Sequence, residues 1–520
     1  MTSENTKNKL KTELKMLLRS GIIVAFFTLL SRFFGFAREL FIAAIFGTTS
    51  IADCVNIAFK FPNLFRRVFG EGAMSAVFIP MFSEKLVNSK SNAKRFGGEV
   101  FILLLLTLII LTLFLQITMT YLMVIIAPGF FASREKFDLT VTLCRITIPY
   151  MICVSVTALF GGMLNSVKKF TAFAFVPIIM NICIIVLTPL LQEKYTAHFS
   201  IAYSLVVAGI LQATFMYFCI VKAGLRFPLL FRPKDKEVGI LIKKIGPAAM
   251  SSGAQQLNLF ISQSIASFLP GAVSILSYAD RLYQLPLSLI GTTFGTILLP
   301  ELSQIYKKKK YSEANVLQNK AIIIAFTISI PAMFGLLVLS LPIIHLIYER
   351  GQFSAHDTIQ TANALMAFSL GLPAFVLAKI LTPIFYANLD TKTPFKITIY
   401  SLLTNISLNI LLMTSFGHVG IALGSSIAAW FNVYLLNKHA KQYGKFQITH
   451  QTKLSSLKLI VSSACMIIFI VIFRHYFNEL LYANYFMIKV VSLLAIIIGA
   501  IIIFAICAYL FKIHNILLNK

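Results

Sequence analysis

Charge is what this chain has least of, and the shortage falls on the acids. Only 12% of the 520 residues are Asp, Glu, Lys or Arg, and 19 carboxylates stand against 46 Lys and Arg, a formal net charge of +27. Soluble domains carry about 25% charged residues. With 58% hydrophobic residues and a mean hydropathy of +0.83, the composition excludes a soluble domain and defines a polytopic membrane protein. The cations fall between apolar runs rather than in solvated patches, which argues against nucleic acid and for loops facing anionic lipid. Paired cysteines are also missing. Cys54, Cys144, Cys153, Cys183, Cys219, Cys465 and Cys507 stand singly, with no CxxC or His-paired spacing, so neither a disulfide framework nor a zinc site is expected. The eight His show no HxxxH or HExxH, no DxD occurs, and the carboxylates form no obvious catalytic pair. A membrane glycosyltransferase or lipid phosphatase would lack its reacting groups, so we expect no enzyme and no cofactor. The Lys-rich start is followed by an apolar stretch that holds Arg32 and Arg38 and lacks an A-x-A-like cleavage site, so it reads as retained.

What is present is a succession of apolar runs long enough to span, near 20–46, 50–84, 99–128, 138–165, 170–191, 200–222, 247–270, 276–304, 320–348, 358–388, 394–416, 419–437, 457–477 and 487–511. Fourteen segments follow, in an all-α polytopic fold. The even-numbered junctions, such as 85–95, 226–244 and 307–310, are rich in Lys and Arg and the odd-numbered ones are poorer, which places both termini in the cytoplasm. The chain also repeats itself. Phe59-Lys60-Phe61-Pro62 matches Tyr283-Gln284-Leu285-Pro286, and the run from Pro177 through Asn181 matches that from Ser401 through Asn405, both at an offset of 224. Six spans separate the copies, so two parallel six-helix lobes are predicted, plus two extra C-terminal helices. The expected domains are an N-terminal lobe 1–224, an amphipathic interlobe linker 225–246, a C-terminal lobe 247–444, and 445–520 for the last two spans and the tail. The short junctions 47–51 and 269–273 occupy equivalent places, and Gly47 and Gly271 suit them to backbone adjustment as the lips of an outward gate.

The stretch Ser31–Glu84 organises the rest. It is apolar enough for a bilayer, yet Arg32, Arg38, Glu39, Asp53, Lys60, Arg66, Arg67 and Glu71 interrupt it. A charge at bilayer depth is costly unless it faces a bundle interior or a water-filled cavity. The cationic surplus therefore predicts a hydrated cavity with an anionic occupant. Arg32 and Arg38 lie about 240° apart around an ideal helix, and Gly35 between them permits a bend or local unwinding. Arg281, beside Asp280, begins the corresponding part of the second lobe. Guanidinium groups grip phosphate oxygens bidentately. The acids Glu39, Asp53, Glu71 and Asp280 are candidate counter-charges that hold the arginines and exchange as gates move.

The strings SRFFGFARE, ADCVNIAFKFPNLFRRVFGEGAMSAVFIPMFSE, APGFF, YADRLYQLPLSLIGTTFGTILLPELS, YERGQF and KTPFKI closely resemble the MurJ (MviN) lipid II flippases of the MOP transporter superfamily, over residues 20–445. The resemblance implies alternating access around a cationic central cavity and transport of the undecaprenyl-diphosphate-linked peptidoglycan precursor, lipid II, from the inner to the outer leaflet of the bacterial inner membrane. Carried over by motif, the cavity residues are Arg32, Arg38, Lys60, Arg66 and Arg281. Glu39 departs from the family's usual Asp. Some members bind Na⁺ through carboxylates and amides; here the eleventh segment offers only Asn405 and Asn409, without a carboxylate, so no metal is assigned. The expected partners are lipid II and membrane lipids, with the chain acting as a monomer. The alternatives are an exporter of another lipid-linked oligosaccharide and a MATE-like multidrug antiporter, the latter disfavoured because cationic drugs call for an acidic cavity.

Overall fold

The computed structural model describes residues 2–65, 77–229, 239–241, 243–244, 260–443, 446–483 and 485–513, with the backbone alone at 2–21, 65 and 289–297. Among these residues the regular structure is entirely helical. The chain forms two compact units, Met1–Phe268 and Leu269–Lys520. Counting a broken span as one, nine helices among the described residues are long and apolar enough to cross a bilayer. The expected linker and seventh segment fall largely outside the described residues. The first unit extends past the expected boundary because Ser264 Oγ donates to the Ile126 carbonyl (2.7 Å) and Ser267 Oγ accepts from the Gly129 N–H (2.9 Å), binding 260–268 to the turn Pro128–Ala132.

In the first unit α1 (Thr2–Phe46) and α2 (Ser50–Phe65) lead to α3 (Ile79–Asn88) and α4 (Lys90–Ile126). Then come α5 (Arg134–Thr147), α6 (Tyr150–Ser166), α7 (Thr171–Leu191) and α8 (Ala197–Lys222). Phe78, Phe82, Phe96, Phe160, Met163 and Met216 fill a core shared by α3, α4, α6 and α8. The second unit holds α9 (Ala272–Lys307), α10 (Tyr311–Tyr348), α11 (Ala355–Ser369) and α12 (Leu372–Ala387). It ends with α13 (Lys392–Ala440), α14 (His450–Tyr476), the short α15 (Asn478–Leu481) and α16 (Phe486–Leu510).

Among the described residues, each unit contains a span that breaks in the middle. α5 gives way to α6 at Pro149, and α11 to α12 at Pro373. The two prolines stand 224 residues apart, the offset of the sequence repeat. Proline lacks the N–H that would continue the ladder and crowds the preceding turn, so each break follows from the sequence. Both broken spans also begin alike. Ser133 caps α5, and Ser354 caps α11 in a reciprocal box with Asp357. Gly47 and Gly271 sit in the left-handed region at φ +56° and +73°, as residues that let the chain turn sharply between helices.

The expected spans 394–416 and 419–437 are the two arms of α13, which folds back at Gly417 (φ +57°, ψ −135°). Ser401 Oγ donates to the Ala428 carbonyl (3.0 Å) and Ser425 Oγ to Asn405 Oδ1 (3.4 Å), pairing the arms antiparallel. A Cβ on Gly420 would stand 2.2 Å from the Leu412 carbonyl oxygen, so the crossing tolerates only hydrogen there. Gly420→Ala should destabilise the protein by about 1–3 kcal/mol or more, as overpacking does; thermal unfolding in detergent measures it, and an unchanged midpoint would contradict this packing.

α14 and α16 pack on α10 through Leu459, Met466, Ile470, Leu493 and Ile496 against Ile323, Ile330 and Leu339. Buried Asn319 accepts from the Thr449 N–H (3.0 Å) and the Thr452 hydroxyl (2.7 Å) and donates to the Gln447 carbonyl (3.0 Å). At the opposite end of α10, His345 bridges Glu349 (2.8 Å) and Lys489 of α16 (3.1 Å). Outside the spans, Asp390 receives the N–H groups of Lys392 and Thr393 and the Tyr443 hydroxyl. Slight burial raises its pKa, but these hydrogen bonds outweigh that and hold the carboxyl at about 2.

Candidate functional site

α1 stays helical through Arg32, Gly35 and Arg38, so the expected unwinding at Gly35 does not occur. Gly35 serves packing instead. Its missing Cβ would lie 3.5 Å from Asn181 Nδ2, which donates to the Ser31 carbonyl (3.4 Å) and draws α7 against α1. Arg32 is exposed and Arg38 is buried, as the angular separation of the two requires. Arg38 Nη2 donates to Glu39 Oε1 at 2.6 Å, with both side chains nearly covered. The Arg38 Nε is buried and finds no hydrogen-bond acceptor among the described residues. A buried donor of a charged group left unmade is expensive, and an anion would supply what is missing.

On α2 the structure assigns Asp53 a partner that the sequence reading did not. The carboxylate is fully buried and accepts from Lys136 Nζ at 2.8 Å. That ammonium also lies 3.9 Å from the centroid of the Phe130 ring. Lys136 sits in the junction opening α5, 83 residues from Asp53, where a local motif gives no sign of it. Lys60 is exposed on α2. Arg66 and Glu71 lie outside the described residues. In the second unit Arg281 is exposed and Asp280 half-buried. The Asp280 carboxylate accepts from Gln284 Nε2, one turn on. An exposed cation on a helix of this apolarity is stable only where water reaches it.

Asn405 and Asn409 are both buried in the α13 hairpin. With its amide turned to satisfy both atoms, Asn409 donates to Asn405 Oδ1 (2.9 Å) and to the Ile421 carbonyl (3.1 Å). The two amides thus staple the arms together. The sequence reading also missed Glu99, buried on α4 and paired with Arg95 one turn earlier (3.1 Å), although the i, i+4 spacing was there to find.

Nine apolar helices of spanning length among the described residues, with a span broken beside the equivalent proline in each unit, are the architecture of a multi-pass membrane protein. The family model described as "Lipid II flippase MurJ" matches residues 42–510. The chain belongs to that family. A protein of Rickettsia prowazekii (strain Madrid E) named "Probable lipid II flippase MurJ" is 55% identical over 96% of this chain and 98% of its own length. One of Rhizobium tropici with the same name is 39% identical over 89% and 88%. Among solved structures, "Lipid II flippase MurJ, inward closed conformation" superposes with a TM-score of 0.79 at 29% identity, covering 95% of this chain and 100% of that one. An inward-facing multidrug resistance MATE family transporter of the MOP superfamily shares the fold, with a TM-score of 0.66 at 14% identity over 83% of this chain and 99% of its own.

Proposed function

We propose that this chain flips lipid II from the inner to the outer leaflet of a bacterial inner membrane by alternating access, with both termini in the cytoplasm. Family membership over nearly the whole chain supports the activity. The observation that carries the binding mode is the buried, unsatisfied Arg38 Nε beside Glu39. Arg32, Arg38, Lys60, Arg66 and Arg281 hold the diphosphate; Glu39 and Asp280 keep the cations oriented while the site is empty. Each charge-assisted contact contributes about 1.5–3 kcal/mol. No covalent bond is broken, so the chemistry at the headgroup is binding and release. Depleting the protein in living cells tests the activity: lipid-linked peptidoglycan precursor should accumulate on the inner leaflet. Accumulation of a different polyprenyl-linked sugar would overturn the substrate assignment.

A further inference from the structure

α12 is the second half of the span broken at Pro373. It packs against α9, α10 and α13, burying Leu377, Ile380, Leu381 and Ile384 in the core they share. The strip left over carries Lys379, exposed, with half-buried Thr382 and exposed Tyr386 beyond it. The Lys379 ammonium makes no hydrogen bond or ion pair with any described residue. A lysine at bilayer depth facing lipid is costly. Lys379 lies within the span that ends at Ala387. Its charge is stable there only where water or an anion reaches it.

Two further observations point to a ligand. Phe375, one turn before Lys379, packs on Tyr283, two residues after Arg281, with ring centroids 5.7 Å apart. The helices bearing the two cations are thus held together by this contact. The residue equivalent to Lys379 in the first unit, at the repeat offset of 224, is Ser155, which is buried. A charge needed to build a broken span would be needed in both units, and only the second has it.

We propose that Lys379 is a further cationic contact for the anionic headgroup of the transported lipid, supplied by the broken span of the second unit; this rests on the flippase reading above. Two parts of the headgroup carry suitable oxyanions, the diphosphate and the peptide carboxylates. The test uses the purified full-length chain and native mass spectrometry, with undecaprenyl diphosphate and complete lipid II as separate probes. Lys379→Gln should weaken binding about tenfold, the effect of one charge-assisted contact, with an unchanged unfolding temperature, and Lys379→Arg should restore most of the affinity. Loss with both probes assigns the contact to the diphosphate, and loss with lipid II alone assigns it to the peptide. Wild-type affinity in Lys379→Gln and Lys379→Met, or loss that merely follows a lowered unfolding temperature and is not rescued by Arg, would overturn the proposal. Arg281→Gln run in parallel keeps the two readings apart: if it is impaired while Lys379→Gln is not, the cationic site stands without Lys379.

Discussion

Arg38→Ala should abolish growth of cells that depend on this protein and should also weaken the fold. The Arg38 and Glu39 side chains are only 10% and 13% exposed, so removing the arginine breaks a covered ion pair, a loss of about 3–5 kcal/mol. Loss of growth by itself would not tell binding from folding. The double variant Arg38→Gln/Glu39→Gln removes both charges, leaves neutral amides able to hydrogen-bond, and should return the unfolding temperature close to wild type. Flipping should stay lost, because no amide replaces a guanidinium toward diphosphate. A double variant that is both stable and active would mean that Arg38 serves Glu39 alone.

The second large effect is expected at Asp53 and Lys136. The carboxylate is wholly covered and the lysine side chain 11% exposed, so Asp53→Leu or Lys136→Met alone should cost about 3–5 kcal/mol. Removing both charges together, as Asp53→Leu/Lys136→Met, should recover most of the loss, since the pair is covered and the Phe130 ring already lies against the lysine. Unfolding of the four proteins in detergent closes the cycle. Flipping by the recovered double variant then decides the role of Asp53. If it transports, the pair is a brace between α2 and α5; if it is stable yet inactive, Asp53 exchanges partners during transport as the sequence reading expected.

These two cases mark where sequence reasoning succeeds. Arg38 with Glu39 was legible because both sit in one short charged motif inside an apolar run. The repeat and the α13 hairpin were legible too, since prolines, glycines and span lengths are local signals. The partner of Asp53 was not, because nothing near either residue encodes contact across 83 positions. Gly35 misled for a related reason: a glycine between two arginines permits unwinding equally well as close approach, and only the arrival of Asn181 from α7 decides. Lys379 is a lone cation inside the apolar run 358–388, a local signal whose meaning depends on which faces of α12 its neighbours cover.

The amide of Asn319 has a consequence for how the protein is made. Three of its partners lie between 128 and 133 residues further along the chain, in the segment that leads into α14. While the ribosome is still delivering that stretch, α10 must already be inserted with a polar side chain awaiting its neighbours. A chain halted before α14 would keep the bond of that amide to the Asn315 carbonyl, one turn back, and lack the three that come from 447–452. The last helices therefore act as a closing clasp on α10, joined to it at both ends as well as through the apolar core between them.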